Sequence, residues 1–122
     1  MNEKLIVYTF SLSDPDSSAG LTTGACYFMM PIAATLVYAC ISPFEDDTGA
    51  TMSIKDDGTD IVTGVDAADH DVPGEWSSTH TGGTNAPVHI AAGSEMSIDI
   101  LAGAVANRFD VALYFLTGTG WG

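Results

Sequence analysis

The chain is short of positive charge. Its 122 residues hold three basic side chains, Lys4, Lys55 and Arg108, against 16 acidic ones, which gives a formal net charge of −13 and a pI near 4.1. Nucleic acid is excluded as a partner, because no basic stripe exists to displace the counterions of a phosphate backbone. Anionic membrane surfaces are excluded on the same ground. Cysteine is also scarce: Cys26 and Cys40 are too few for the disulfide framework of a small secreted scaffold. Both lie in apolar runs with no Lys or Arg beside them, so neither reads as an activated nucleophile. They are expected as reduced core residues, with a disulfide as the alternative if their strands are neighbours.

A membrane-spanning helix is missing too. Residues 19–44 carry no charge, but Pro31 interrupts them, the apolar part from 25 to 41 is marginal in length, and no Lys or Arg flanks it. That region reads as two strands. Residues 5–12 are too short, and too broken by Thr and Ser, to serve as the apolar part of a signal peptide. Nucleophilic catalysis has no support, since neither a Gly-x-Ser-x-Gly elbow nor a Cys with an obvious His partner is present.

Two further motifs resolve to turns. Asp47-Thr48-Gly49-Ala50 spells the active-site tetrapeptide of dimeric aspartic proteases. That site needs its Asp at the end of an apolar strand, and here Glu45 and Asp46 precede it directly. Asp56, Asp57 and Asp60, and again Asp66, Asp69 and Asp71 with His70 and His80, are the groups on which a hard cation would relieve acidic repulsion. Neither run has EF-hand or closed zinc spacing, so solvated turn aspartates are expected, with no metal and no cofactor. His89, between Val88 and Ile90, reads as a strand residue packing its ring.

What the sequence does contain is period-two alternation, recurring in short segments separated by Gly, Pro, Asp and Thr, with no convincing 3.6-residue period. In residues 95–101, Met96, Ile98 and Ile100 fall on one face and Glu95, Ser97 and Asp99 on the other. In residues 109–117, Phe109, Val111, Leu113 and Phe115 oppose Asp110, Ala112 and Tyr114. Strands are also expected over 5–12, 27–30, 35–42, 51–56, 61–65 and 76–80, about eight in all. Asp57-Gly58 marks a tight hairpin turn, and residues 91–94 a second turn leading into the strand at Glu95. The polar stretch 66–87 reads as a surface excursion.

So many short strands must hide their edges, and stacking them as two sheets does so. The expected fold is therefore all-β: an antiparallel β-sandwich of jelly-roll type, forming one domain over 1–122. A mean hydropathy of +0.21 is too high for a disordered chain, and apolar surface left uncovered is the expected place for contact with other proteins. Met1, Asn2, Glu3 and Lys4 form a short N-terminal arm, and the Gly-rich C-terminus ends in Trp121 and Gly122. These six residues are the interface candidates. Trp76, Trp121, Tyr8, Tyr27, Tyr38 and Tyr114 would make a sugar-stacking platform if they lined one exposed face, although packing is the commoner role.

Taken in order, Tyr27-Phe28-Met29-Met30-Pro31-Ile32-Ala33-Ala34-Thr35-Leu36, the hairpin 52–61, the segment 90–100 and the terminal strand 109–115 resemble a small jelly-roll domain of tailed bacteriophages. That domain is found in capsid cement, or decoration, proteins and in fibre or spike components. The resemblance implies a jelly roll without catalysis that often trimerises. It leads to the expectation of a virion protein on the outer capsid surface, a homotrimer whose partner is the major capsid protein. The alternative is a fibre or spike domain that binds a host glycan or protein receptor. The acidic stretch 66–87, with His70 and His80, departs from the pattern, and no binding residue carries over by position.

Overall fold

The computed structural model describes residues 4–13, 26–46, 49–67, 69–101 and 108–117. Nine strands and one short 3-10 turn follow one another: β1 (Lys4–Ser13), β2 (Cys26–Met29), β3 (Ala34–Pro43), β4 (Thr51–Asp56), β5 (Thr59–Asp66), β6 (Gly74–Ser77), the turn Thr79–Thr81, β7 (Val88–Ile90), β8 (Glu95–Leu101) and β9 (Arg108–Thr117). They form two antiparallel sheets. One runs β1-β9-β3-β6, with β7 also paired to β3, and the other runs β2-β8-β4-β5.

The pairing is nested: β1 with β9, β2 with β8, β3 with β6 and β7, and β4 with β5. A single long hairpin is in effect folded over on itself, and the cross-pairs β9–β3 and β8–β4 then complete the two sheets. This is the strand order of a jelly roll, as the alternation implied. At the tip of the hairpin Asp57 and Gly58 both take positive φ, 49° and 83°, the geometry that lets a two-residue turn follow the strand twist. Asp57 also ties the tip to β8: its carboxylate accepts from the Glu95 amide at 2.8 Å, and its own amide donates to the Glu95 carbonyl at 2.8 Å.

The core is what the period-two pattern marked. Met96, Ile98 and Ile100 from β8 and Phe109, Val111, Leu113 and Phe115 from β9 are all buried in one apolar cluster between the sheets. Their alternation is sharp because each strand has one core face and one outer face. Ser97 departs from expectation: it lies on the outer face yet is only 8% exposed, flanked in register by Tyr27 and Lys55.

The sixth of the eight expected strands is split in two, as β6 and β7. β6 pairs with residues 38–41 of β3 and β7 with residues 34–36, and the break falls where β3 bulges between Leu36 and Tyr38. At the bulge the Val37 carbonyl accepts from the Ser78 amide and the Thr81 hydroxyl, both at 3.1 Å. The expected strand over 76–80 is corrected accordingly. β6 ends at Ser77, and Ser78 caps the 3-10 turn that holds His80. The expected excursion 66–87 thus supplies an edge strand as well as a loop. His89 sits in β7 as expected, but its side chain is exposed rather than packed.

Candidate interaction surface

Lys4 opens β1, paired with Thr117, so it belongs to the sheet and not to an arm. The other interface candidates, Met1, Asn2, Glu3, Trp121 and Gly122, lie outside the described residues, as do Asp47 and Thr48 of the protease-like tetrapeptide. Gly49 of that motif stands in a turn with φ of 81°. Among the described residues no group of three or more His, Cys, Asp or Glu side chains is placed to hold a metal ion. Asp56, Asp57 and Asp60, and Asp66, Asp69 and Asp71, are therefore not brought into a ligand set. Local hydrogen bonds use some of the carboxylates: Asp69 accepts from the Asp71 amide and Asp46 from the His70 amide, each at 2.8 Å. Among the described residues no helix is long and apolar enough to cross a membrane.

The aromatic residues divide among three places. Tyr8 turns inward, its ring 5.8 Å from Phe28 and 5.6 Å from Phe115, and Trp76 packs against the core. Tyr38 and Tyr114 meet edge-on at 5.2 Å on the outer face of the β1-β9-β3-β6 sheet. Tyr27 stands alone on the outer face of the other sheet, so these residues do not form one stacking platform. The Tyr38 hydroxyl donates to the Glu75 carboxylate at 2.6 Å. Burial, reinforced by that bond, pushes the Tyr38 phenol well above its ordinary pKa.

Beside this pair the outer face of β1, β9 and β3 dips into an open depression of about 500 Å3, lined by Thr9, Ser11, Cys40, Ser42, Pro73 and Asp110 among others. Cys40 is half-buried there and Cys26 is half-buried on β2. Both are free thiols; Cys26 packs against the core, whereas Cys40 lines the outer depression instead of sitting inside the core. Desolvation raises both thiol pKa values. The thiolate is the reactive form, so native thiols at pH 8 are expected to react with an aromatic disulfide reagent roughly tenfold or more slowly than in urea. Equal rates in the two conditions would contradict the burial.

A further surface feature was not among the expected interface residues. β1 and β2 form one flank of the sandwich, each the edge of its sheet, and Phe28 bridges them by packing on Tyr8 and on Phe10, the latter at 5.1 Å. On the outward faces of these strands, Leu5 is 57% exposed, Val7 42%, Tyr27 62% and Met29 67%. The turn after β2 adds exposed Ile32. From Leu5 to Ser13 and from Cys26 to Met29 there is no charged residue. The opposite flank is different. There β5 packs against β6, and Asp60, Asp66 and Glu75 lie on those strands, with Asp69 and Asp71 between them. A signal for the first flank did exist: residues 5–8 are apolar at both parities, as in a strand covered on both sides.

No protein-family model and no curated protein matches the chain. Among solved structures, the chain is similar to one described as a cyanophage Pam1 capsid asymmetric unit, with a TM-score of 0.43 and 14% identity, over 96% of this chain and 86% of that one.

Proposed function

We propose that this protein is a non-enzymatic structural component of a bacteriophage particle, a cement protein that binds the outer surface of the assembled major capsid lattice. The observation that carries the proposal is the exposed apolar surface at the two edge strands β1 and β2, Leu5 and Val7 on one sheet and Tyr27 and Met29 on the other, with no acidic residue on either strand. Exposed apolar side chains of this size, gathered on edge strands, are the kind of surface that another protein covers. The sequence resemblance to phage jelly-roll proteins supplies the kind of particle and implies three copies about one axis. Binding is the whole mechanism. A protein that binds the assembled lattice and not its dissociated subunits stabilises the lattice by mass action, about 4 kcal/mol per site at a thousandfold excess over Kd. An acidic outer face, turned to solvent, then keeps particles apart by charge repulsion.

Electron cryo-microscopy of purified particles tests this. Density for the jelly roll on the outer capsid is the expected result. Density confined to the tail tip, or none, would reject the cement role. A tail-tip position would favour the second reading, a fibre domain for a host glycan. The depression beside Tyr114 supports that alternative, because hydroxyls of Thr9, Ser11 and Ser42 and the carboxylate of Asp110 line it and are groups that hydrogen-bond sugars. Glycan-array binding by the isolated protein would separate the two.

A further inference from the structure

We propose that the protein meets the lattice with one sheet face, the outer face of β1-β9-β3-β6, and turns the outer face of β2-β8-β4-β5 to solvent. This rests on the cement reading for the partner and adds which side of the sandwich is bound. Strand register defines the face. Leu5 and Val7 of β1 stand beside Leu116 and Tyr114 of β9, and Thr9 stands beside Ala112. On the other side of β9 the same three positions meet Thr35, Tyr38 and Cys40 of β3. All of these alternate with residues of the core cluster along their strands, so they share one surface. Leu5 and Val7 are exposed at its β1 edge, Leu116 and Tyr114 are half-buried beside them, and Ala112 and Cys40 form part of the adjoining depression.

Desolvation decides between the two faces. A charge covered by a partner loses its hydration, and the contact is favourable only where that loss is compensated. On the proposed face the carboxylates of Asp110 and Glu75 are already engaged within the chain, the first by Arg108 at 3.7 Å and the second by the Tyr38 hydroxyl at 2.6 Å. On the other outer face Glu95 stands in register beside Met29, and Asp60 beside Lys55. Lys55 also pairs with Asp99 at 3.2 Å. Tyr27 and Met29 are therefore bordered by charges that a partner would have to strip of water. Charge selects the occupant as well. A second copy laid across the whole face would bring −13 of its own, whereas a lattice surface without net negative charge meets no such repulsion. Such a surface, with a protruding loop to fill the depression, fits this face.

The test is co-sedimentation of the full chain with purified particles from which the protein has been removed. Val7→Glu and Thr9→Glu, at exposed positions of the proposed face, are expected to weaken binding about tenfold or more with an unchanged circular dichroism spectrum. Met29→Glu, on the other face, is expected to bind as the wild type does. The two thiols give a second readout that needs no substitution: on the particle, Cys40 should be alkylated more slowly than in the free protein, and Cys26 at the same rate. Equal weakening by Met29→Glu, or a Cys40 rate unchanged on the particle, overturns this face and leaves the cement role standing. Failure of the wild type to bind rejects both. Two further results also overturn the proposal. A wild-type mass of two or three protomers by light scattering, returned by Val7→Glu to 12.7 kDa, would give the face to a second copy. Protection of Cys40 by a free saccharide, without particles, would give it to a glycan.

Discussion

Replacing Phe115 with alanine is expected to lower the free energy of unfolding by about 3 to 5 kcal/mol, a large part of the stability of a domain this size. Phe115 is fully buried on β9, paired on one side with Ile6 of β1 and on the other with Leu36 of β3. Its ring also packs against Tyr8. Truncation removes apolar area and leaves a cavity with three strands around it, which cannot close without bending a continuous sheet. Urea denaturation followed by far-ultraviolet circular dichroism measures the loss. Should the alanine variant fail to fold, Phe115→Leu gives a smaller step, about half as large. As a reference, Val72→Ala at a site 65% exposed is expected to change stability by no more than about 0.5 kcal/mol. A Phe115→Ala cost under about 1 kcal/mol would mean that the two sheets do not share the interior described here.

That interior was the part of the fold most visible in the sequence. In β8 and β9 one face meets the core and the other meets solvent or a neighbour, so hydrophobicity alternates and both strand and inward face can be read directly. β3 is harder. Residues 34–37 are all buried, and a near-continuous apolar run hides the bulge at Val37 and with it the splitting of the last edge strand. β6 and β7 lie in a stretch rich in Asp, Gly, Thr and Ser, where local composition favours turns and pairing with β3 decides the outcome.

The candidate surface was less legible for a different reason. Whether Leu5 and Val7 are covered or bare depends on what lies beside β1, and among the described residues β1 pairs with β9, at the far end of the chain. Local periodicity does not report non-local order of this kind, and the doubly apolar run at residues 5–8 shows only that both faces of β1 are apolar there. The expected contact residues at the two termini were chosen for reach, while the flank presents strands already held in place by the core. Tyr27 and Met29 were legible as alternating strand residues. Their exposure follows from β2 being an edge, with Cys26 and Phe28 turned inward.

Gly74→Ala is expected to be as damaging as a core truncation, although it adds only one methyl group. Gly74 begins β6, paired with Ile41, where the end of β5 packs against it. A Cβ built on Gly74 would lie 1.6 Å from the Asp66 carbonyl oxygen, 2.8 Å from its carbon and 3.2 Å from a Val65 methyl. The nearest obstacle is backbone, so no rotamer change relieves it, and β5 and β6 must move apart by more than an ångström. Overpacking of well-packed sites costs about 1 to 3 kcal/mol, and a backbone clash on this flank should fall at or above the upper end. Gly83 makes a useful comparison. Its Cβ would lie 2.1 Å from the Ser77 carbonyl, but Gly83 sits in the exposed excursion between β6 and β7, which can shift without parting the sheets. Gly83→Ala is therefore expected to cost less than Gly74→Ala. Hydrogen exchange distinguishes the causes: in Gly74→Ala, amides of β6 and the end of β5 should lose protection before those of β9. A uniform loss across both sheets, or a cost below about 1 kcal/mol, would show that β5 and β6 are not in the close contact from which this expectation is drawn.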